Sequence, residues 1–279
     1  MTTVVKIGGA KAVDPEGALA DVAALTEEGE DVVVVHGGST AVDEALEAMD
    51  IDPEYVETPG GVVGRFTDEE TMDVFKMAMP GLVNTDLVTG LQNQGVDAVG
   101  LSGVDGGLLT GPRKSAVRVV EDGKKKIKRG DHSGTIESVN AGLLETLLED
   151  GYTPTVSVPM LGVEDDGSYT AVNSDADRSA AAVAGALDAD LVLLTDTRGV
   201  YRDPEDPETL IERVTTPAEY DELTDAAEGF MKRKVMAAEE ALRGGAPTVV
   251  VGDANADNPI RSALEGAGTT VERDALPEV

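Results

Sequence analysis

Val4-Val5-Lys6-Ile7-Gly8-Gly9 and Val32-Val33-Val34-Val35-His36-Gly37-Gly38 decide how this chain is built. Each is a β-branched run that reads as a buried parallel strand, ending in paired glycines ahead of a helical pattern. A strand, a tight loop and a helix N-terminus in that order place backbone N–H groups and a helix dipole where an anion can approach without meeting a Cβ. The two loops lie about 30 residues apart, the spacing of adjacent strands in one βαβ unit, so they can face each other across a cleft. Each alone also reads as a plain tight turn. Neither loop completes G-x-G-x-x-G, and the chain has no G-x-x-x-x-G-K-[ST] run. This argues against a Rossmann dehydrogenase and a P-loop NTPase.

The same alternation continues outward. Strands are expected over Thr3 to Ile7, Asp31 to Val35, Ala98 to Leu101, Thr153 to Val158, Leu191 to Thr195 and Pro247 to Val251. Helices are expected over Pro15 to Glu28, Thr40 to Met49, Thr67 to Met79, Asn84 to Gln94, Asn140 to Glu149, Asp175 to Leu187 and Gly229 to Arg243. That order predicts an α/β fold with a mostly parallel sheet and helices on both faces. Between Val117 and Arg129 the pattern becomes an antiparallel hairpin. The chain shows no internal repeat, and a soft lobe boundary is expected near Gly167 to Thr170.

Fifty-four acidic against 22 basic residues give a formal charge of -32, yet 41% of the residues are hydrophobic. A packed globular protein is therefore expected, in a medium salty enough to screen its self-repulsion, such as a halophile's cytoplasm. The lack of cysteine excludes disulfides and thiolate metal sites, two isolated histidines leave little for a zinc centre, and no metal-ligating residues are assigned. The first strand begins by residue 3 without an apolar leader, and no apolar run approaches the length of a membrane span. A cytoplasmic protein is expected.

Three further constellations stand out. Gly64-Arg65-Phe66-Thr67-Asp68 delivers one arginine ahead of a helix whose Thr67 and Glu70 read as a capping box. Arg65 there is either a solvated surface residue or a carboxylate clamp. In Asn173-Ser174-Asp175-Ala176-Asp177, an ordinary N-cap accounts for Asn173 or Asp175 and leaves Asp177 unexplained. Met231-Lys232-Arg233-Lys234 places three cations at a helix start, against the dipole, which makes sense if an anion shares the site.

In this joint order the chain resembles the amino acid kinases, within them the acetylglutamate kinase branch. The resemblance implies an αβα sandwich that transfers phosphate from ATP, with Mg²⁺, to a side-chain carboxylate. Lys6 and Lys234 would contact the transferring phosphoryl group, organised by Asp177. Gly37, Gly38, Arg65 and Asn173 would hold the amino-acid substrate, Gly8 and Gly9 would line the phosphates, and Thr195, Asp196, Gly199 and Tyr201 would sit by the nucleotide. An N-terminal lobe of residues 1–170 would bind the amino acid and dimerise, and residues 171–279 would bind ATP on one continuous sheet. A glutamate-type carboxylate is already ionised at neutral pH, so the attack needs no general base.

The His36-Gly37-Gly38-Ser39 and Met231-Lys232-Arg233-Lys234 forms resemble the kinases that act on glutamate or 2-aminoadipate attached to a small acidic carrier protein, LysW, in arginine and lysine biosynthesis. Arg113 to Arg129 carries +6 while the rest of the chain sums to -38. A solvated basic hairpin is the plain explanation. An acidic partner docking at Lys124, Lys125, Lys126, Lys128 and Arg129 is the functional one, and nucleic acid is not expected because the remaining surface repels phosphate. Two alternatives stand beside this reading: an N-acetylglutamate kinase using the free small molecule, and a non-catalytic sensor built on the same fold. A homodimer is expected.

Overall fold

The computed structural model describes residues 2–8, 15–61, 63–121 and 123–277. In chain order the elements are β1 (Thr2–Ile7), α1 (Glu16–Glu27), β2 (Asp31–His36), α2 (Ser39–Ala48), β3 (Tyr55–Glu57), β4 (Val63–Arg65), α3 (Glu69–Lys76), α4 (Asn84–Asn93), β5 (Ala98–Gly103), β6 (Leu109–Glu121), β7 (Lys124–Gly134) and β8 (Ser138–Val139). There follow α5 (Ala141–Glu149), β9 (Thr153–Val163), β10 (Tyr169–Val172), α6 (Ala176–Ala186), β11 (Asp190–Thr195), β12 (Arg213–Val214), α7 (Pro217–Ala226), α8 (Gly229–Gly244), β13 (Thr248–Asp253), α9 (Pro259–Leu264) and β14 (Thr269–Glu272).

One sheet runs through the molecule in the order β12-β14-β13-β11-β1-β2-β9-β6-β7. The expected α/β architecture is therefore present, with parallel pairing of β1 to both β2 and β11. The chain leaves β1 for β2 on one side and meets β11 on the other, so a crevice opens at the carboxyl end of β1. The register aligns Lys6 with Val35 and with Leu193. The carboxyl ends of β1, β2 and β11 thus lie together on one edge.

Strand alternation sorts the core into two layers. Val5, Ile7, Val32, Val34, Val192, Leu194 and Val250 pack on one face with residues of α1, α4 and α9. Val4, Val33, Val35, Leu191, Leu193, Val249 and Val251 pack on the other with residues of α6 and α8. Lys6 alternates with Val5 and shares the face of Val4, so the lysine at the strand's end lies on the α6 and α8 side. A third cluster, Val42, Leu46, Met72, Val74, Phe75, Ala78, Met79 and Val158, packs α2 against α3.

Two expectations are corrected here. The helix expected to begin with a Thr67–Glu70 capping box is capped instead by Asp68, whose side chain accepts from the Thr71 N–H at 2.9 Å. Thr67 is withdrawn into the core, where its carbonyl accepts from the His132 N–H at 2.7 Å. Nor are the helices expected over 67–79 and 84–94 separate: a π-helical segment, Met77–Val83, joins α3 to α4. Pro80 inside it has no N–H to donate, which loosens the local hydrogen-bond pattern. The basic hairpin is longer than its expected span, since β6 and β7 extend past it toward the body of the sheet.

Candidate active site

Lys6, Asp177 and Lys234 come from three elements and meet at one point. Asp177 Oδ1 lies 2.7 Å from Lys6 Nζ, and Asp177 Oδ2 lies 3.1 Å from Lys234 Nζ. Both lysines are buried. Asp177 occupies the first turn of α6, which is capped by Asp175 through its acceptance of the Arg178 N–H at 3.1 Å. That capping fixes the aspartate two residues on. Burial alone would raise the Asp177 carboxyl, but the two ammonium groups outweigh it and hold the group well below the usual carboxylate range. Burial, with the neighbouring Lys6 charge, pushes the Lys234 ammonium below its ordinary value, while Asp177 pulls the other way. Two cations share one carboxylate, so the cluster carries a net positive charge at low solvent exposure, an arrangement suited to an incoming anion.

The cluster opens onto a cleft of about 590 Å³ lined by Lys6, Gly37, Gly38, Arg65, Asn173 and Asp177, among others. The structure therefore brings together the three expected catalytic residues and the four expected substrate residues. Gly38 packs closely under the π-helical segment: a Cβ there would lie 2.6 Å from Met79 Sδ and 3.2 Å from Val83 Cγ2. Asn173 is held by backbone bonds to β7, its N–H donating to the His132 carbonyl at 2.8 Å. Its Nδ2 donates to Thr67 Oγ1 at 3.0 Å. The buried Asp131 completes that wall, accepting from the Thr67 N–H at 3.4 Å and from the Ser133 hydroxyl.

Arg65 lines the cleft, with its guanidinium already engaged. It pairs with Asp43, donates to the Ser39 carbonyl at 3.0 Å and to Tyr55 Oη at 3.0 Å. Tyr55 in turn donates to Asp43 Oδ2 at 2.7 Å. Burial and that hydrogen bond raise the Tyr55 phenol above its usual value, so it remains a donor at neutral pH. The network ties the short β3 and β4 strands to the N-terminus of α2. Neither Asp43 nor Tyr55 carries a sequence signal, because only the fold sets them beside Arg65. Arg233 was legible as one of three misplaced cations. It is half-buried in the same cleft, 3.7 Å from Asp175, whereas Lys232 is exposed.

The remaining expected residues lie elsewhere. Gly9 falls outside the described residues, and Gly8 follows β1. Thr195, Asp196, Gly199 and Tyr201 are not part of the cleft lining. They lie at and just after the carboxyl end of β11, which neighbours β1 in the sheet. Thr195 Oγ1 donates to Asp196 at 3.1 Å, and a Cβ at Gly199 would meet Thr269 Oγ1 at 2.6 Å. Among the described residues, no group of three His, Asp or Glu side chains could hold a metal ion, and no helix is long and apolar enough to cross a membrane.

His36 fixes the second glycine loop. It is fully buried, and burial, with a smaller contribution from the Lys6 charge, overcomes the hydrogen bond to Gly37 and lowers its pKa to about 4. The neutral ring donates from Nδ1 to the Gly37 carbonyl at 2.9 Å and accepts at Nε2 from Asn84 Nδ2, also at 2.9 Å. Because the folded value lies below the unfolded 6.5, this stability is present above pH 6.5 and drains as pH falls toward 4. Against a His36→Asn variant, the wild type should lose about 3 kcal/mol of its advantage between pH 7 and pH 4. Urea unfolding of both proteins at fixed KCl measures this, and an unchanged gap would show that the imidazole charges without penalty.

Comparison with known proteins gives one consistent picture. The model of the amino acid kinase family matches residues 1–253. A LysW-aminoadipate kinase of Thermus thermophilus is 44% identical over 96% of this chain and 99% of its own length. An acetylglutamate kinase of Methanopyrus kandleri is 43% identical over 87% of this chain and 91% of its own length. Among solved structures, N-acetylglutamate synthase from Neisseria gonorrhoeae, complexed with coenzyme A and N-acetyl-glutamate, superposes with a TM-score of 0.76 at 27% identity. It matches all of this chain, which spans only 60% of that longer protein.

Proposed function

Since the chain belongs to the amino acid kinase family, we propose that it transfers the γ-phosphoryl group of ATP to the side-chain carboxylate of L-2-aminoadipate or L-glutamate carried on a LysW-type protein. The observation that carries this is the buried Lys6–Asp177–Lys234 cluster opening onto the cleft. The substrate carboxylate is ionised at neutral pH, so its oxygen attacks phosphorus directly and no side chain need remove a proton. What the enzyme must supply is alignment of two anions and charge on the equatorial oxygens, which the two ammonium groups provide. Asp177 keeps both lysines placed and apart from one another. Gly37, Gly38, Arg65 and Asn173 hold the amino acid, with Asp43 and Tyr55 fixing the orientation of Arg65.

On the nucleotide side, Gly8 would face the phosphates and Thr195, Asp196, Gly199 and Tyr201 the rest of ATP. Mg²⁺ neutralises phosphate charge when bound, and it would be held mainly by phosphates and water. Residues 1–170 then serve mainly the amino acid and 171–279 mainly the nucleotide, with Asn173 and Gly8 each acting across that division. The homodimer belongs to the same reading, and the exposed Met77 and Leu82 offer it an apolar surface.

The LysW-aminoadipate kinase relative and the basic β6–β7 hairpin support a carrier-bound substrate over a free one. The hairpin's inner end reaches the cleft, where Ser133 and Gly134 form part of the wall. One element thus spans the basic surface and the substrate site. ADP formation from ATP, measured across a KCl series with carrier-bound aminoadipate, carrier-bound glutamate and free N-acetylglutamate, tests the reading. Carrier-bound substrate is expected to be favoured at least about tenfold in kcat/KM, a gap of about 1.4 kcal/mol. The reverse preference would assign the chain to acetylglutamate kinases, as its Methanopyrus relative is named.

A further inference from the structure

We infer that the carrier is met by one face of the β6–β7 hairpin only, formed by Arg118, Lys125 and Arg129 around the exposed Ile127. This rests on the carrier-bound reading above and assigns its docking surface. The register pairs Ala116 with Arg129, Val117 with Lys128, Arg118 with Ile127, Val119 with Lys126, Val120 with Lys125 and Glu121 with Lys124. Directly paired residues share a face, and successive residues alternate. Val117, Val119, Glu121, Lys124, Lys126 and Lys128 therefore lie on one face, and Arg118, Val120, Lys125, Ile127 and Arg129 on the other.

The first face is turned to the protein at Val117, Val119 and Lys128, and is exposed toward the hairpin tip at Glu121, Lys124 and Lys126. Val119 is buried at 1% exposure. Lys128 lies over the Phe66 ring, 4.1 Å from its centroid, and pairs with Glu54. Lys126 pairs with Glu121 at 2.7 Å. Two of the three cations of this face, Lys126 and Lys128, are paired within the chain, and the third, Lys124, is exposed at the hairpin tip.

The second face is turned to solvent. Arg118, Lys125 and Arg129 are exposed, and Ile127 is 66% exposed between them. Among the described residues, none of these three cations lies within ion-pair distance of a carboxylate, in a chain whose acids outnumber its bases 54 to 22. Three uncompensated cations ringing one apolar side chain have the form of a small interface, with an anchor and a charged rim. Charge selects an acidic protein as the occupant: outside residues 113–129 the chain sums to -38, which would hold off an extended polyanion such as nucleic acid or an anionic lipid surface. The same strand links this face to the site. Arg129 is four residues from Ser133 of the cleft wall, about 13 Å of strand. A docked carrier needs an extended tail of about four residues to deliver its substrate.

The test compares two variants of the full-length enzyme on carrier-bound aminoadipate. Arg118→Gln/Lys125→Gln/Arg129→Gln should raise KM at least about tenfold with kcat held within about threefold, and the effect should grow as KCl is lowered. Ile127→Ser alone should raise KM severalfold. Lys126→Gln/Lys128→Gln should change KM less than about threefold. Thermal melts and gel filtration accompany each variant. The face assignment is overturned if the Lys126/Lys128 variant loses as much as the triple variant. It is also overturned if the triple variant is unchanged in KM, or if it alters only the oligomeric state. Wild-type enzyme that consumes ATP with free N-acetylglutamate but not with the loaded carrier would overturn the carrier reading itself, and the docking surface with it.

Discussion

Replacing Lys6 or Lys234 by alanine is expected to lower kcat by about 10²- to 10³-fold while moving KM for either substrate by only a few fold. The reason lies in where the charge is needed. Both ammonium groups are buried beside one carboxylate. In the ground state they would meet anions that glycine-loop N–H groups and a phosphate-bound metal ion would also hold. In the transition state, negative charge spreads over the equatorial oxygens of the transferring group, and fixed cations in a water-poor pocket stabilise that change more than they stabilise the reactants. Steady-state kinetics with both substrates varied separates the two effects. A loss confined to KM in both variants would move the lysines out of the chemistry and leave them as binding residues.

Asp177→Asn is expected to damage the protein as well as the reaction. It leaves two buried ammonium groups facing each other without a counter-charge, and removing one partner of a buried pair typically costs about 3–5 kcal/mol. For a chain of this size that corresponds to a Tm lowered by about 10 °C. The pH dependence follows from the depressed carboxyl. Its folded pKa lies below the unfolded value, so the stabilisation is fully present above the ordinary carboxylate range and is lost only as pH falls through the folded pKa. The stability gap between wild type and variant should thus stay level from pH 8 to about 5 and close only in stronger acid. Inorganic phosphate or sulfate should recover more stability in the variant than in the wild type, by supplying the missing anion. A variant as stable as wild type at neutral pH would show that the lysines escape to solvent or lose a proton, and that Asp177 does not organise them.

What the sequence determined by itself was the scaffold and the local chemistry at its strand ends. Valine-rich runs closed by Gly8 and by Gly37-Gly38, alternating with amphipathic helices, are local patterns, and local patterns suffice for a parallel α/β sheet and for loops on one edge of it. The hairpin was legible for the same reason, as were the residues able to handle anions. Elements lacking a strong local period were not. β3 and β4 have three residues each, too few to show alternation. α7 carries a capping box at Thr216 and Glu219, but its acidic residues obscure the apolar stripe.

Which groups meet is set by the packing of elements distant in sequence. Period-two alternation puts Lys6 on one face of β1, yet which helices cover that face is a matter of topology. The crossing of α6 and α8 there is what brings Asp177 and Lys234 to it. The same holds for Asp21, which looks like a surface acid on α1 but is buried, accepting from the Ile260 N–H at 2.7 Å and the Arg261 N–H at 3.1 Å at the start of α9. It holds too for Arg65, whose sequence context leaves clamp and surface residue equally open until Asp43 and Tyr55 are seen beside it. Charge and hydrogen-bonding capacity belong to residues and can be read in order along a chain. Pairing and desolvation belong to distances, and those exist only once strands separated by most of the sequence lie side by side.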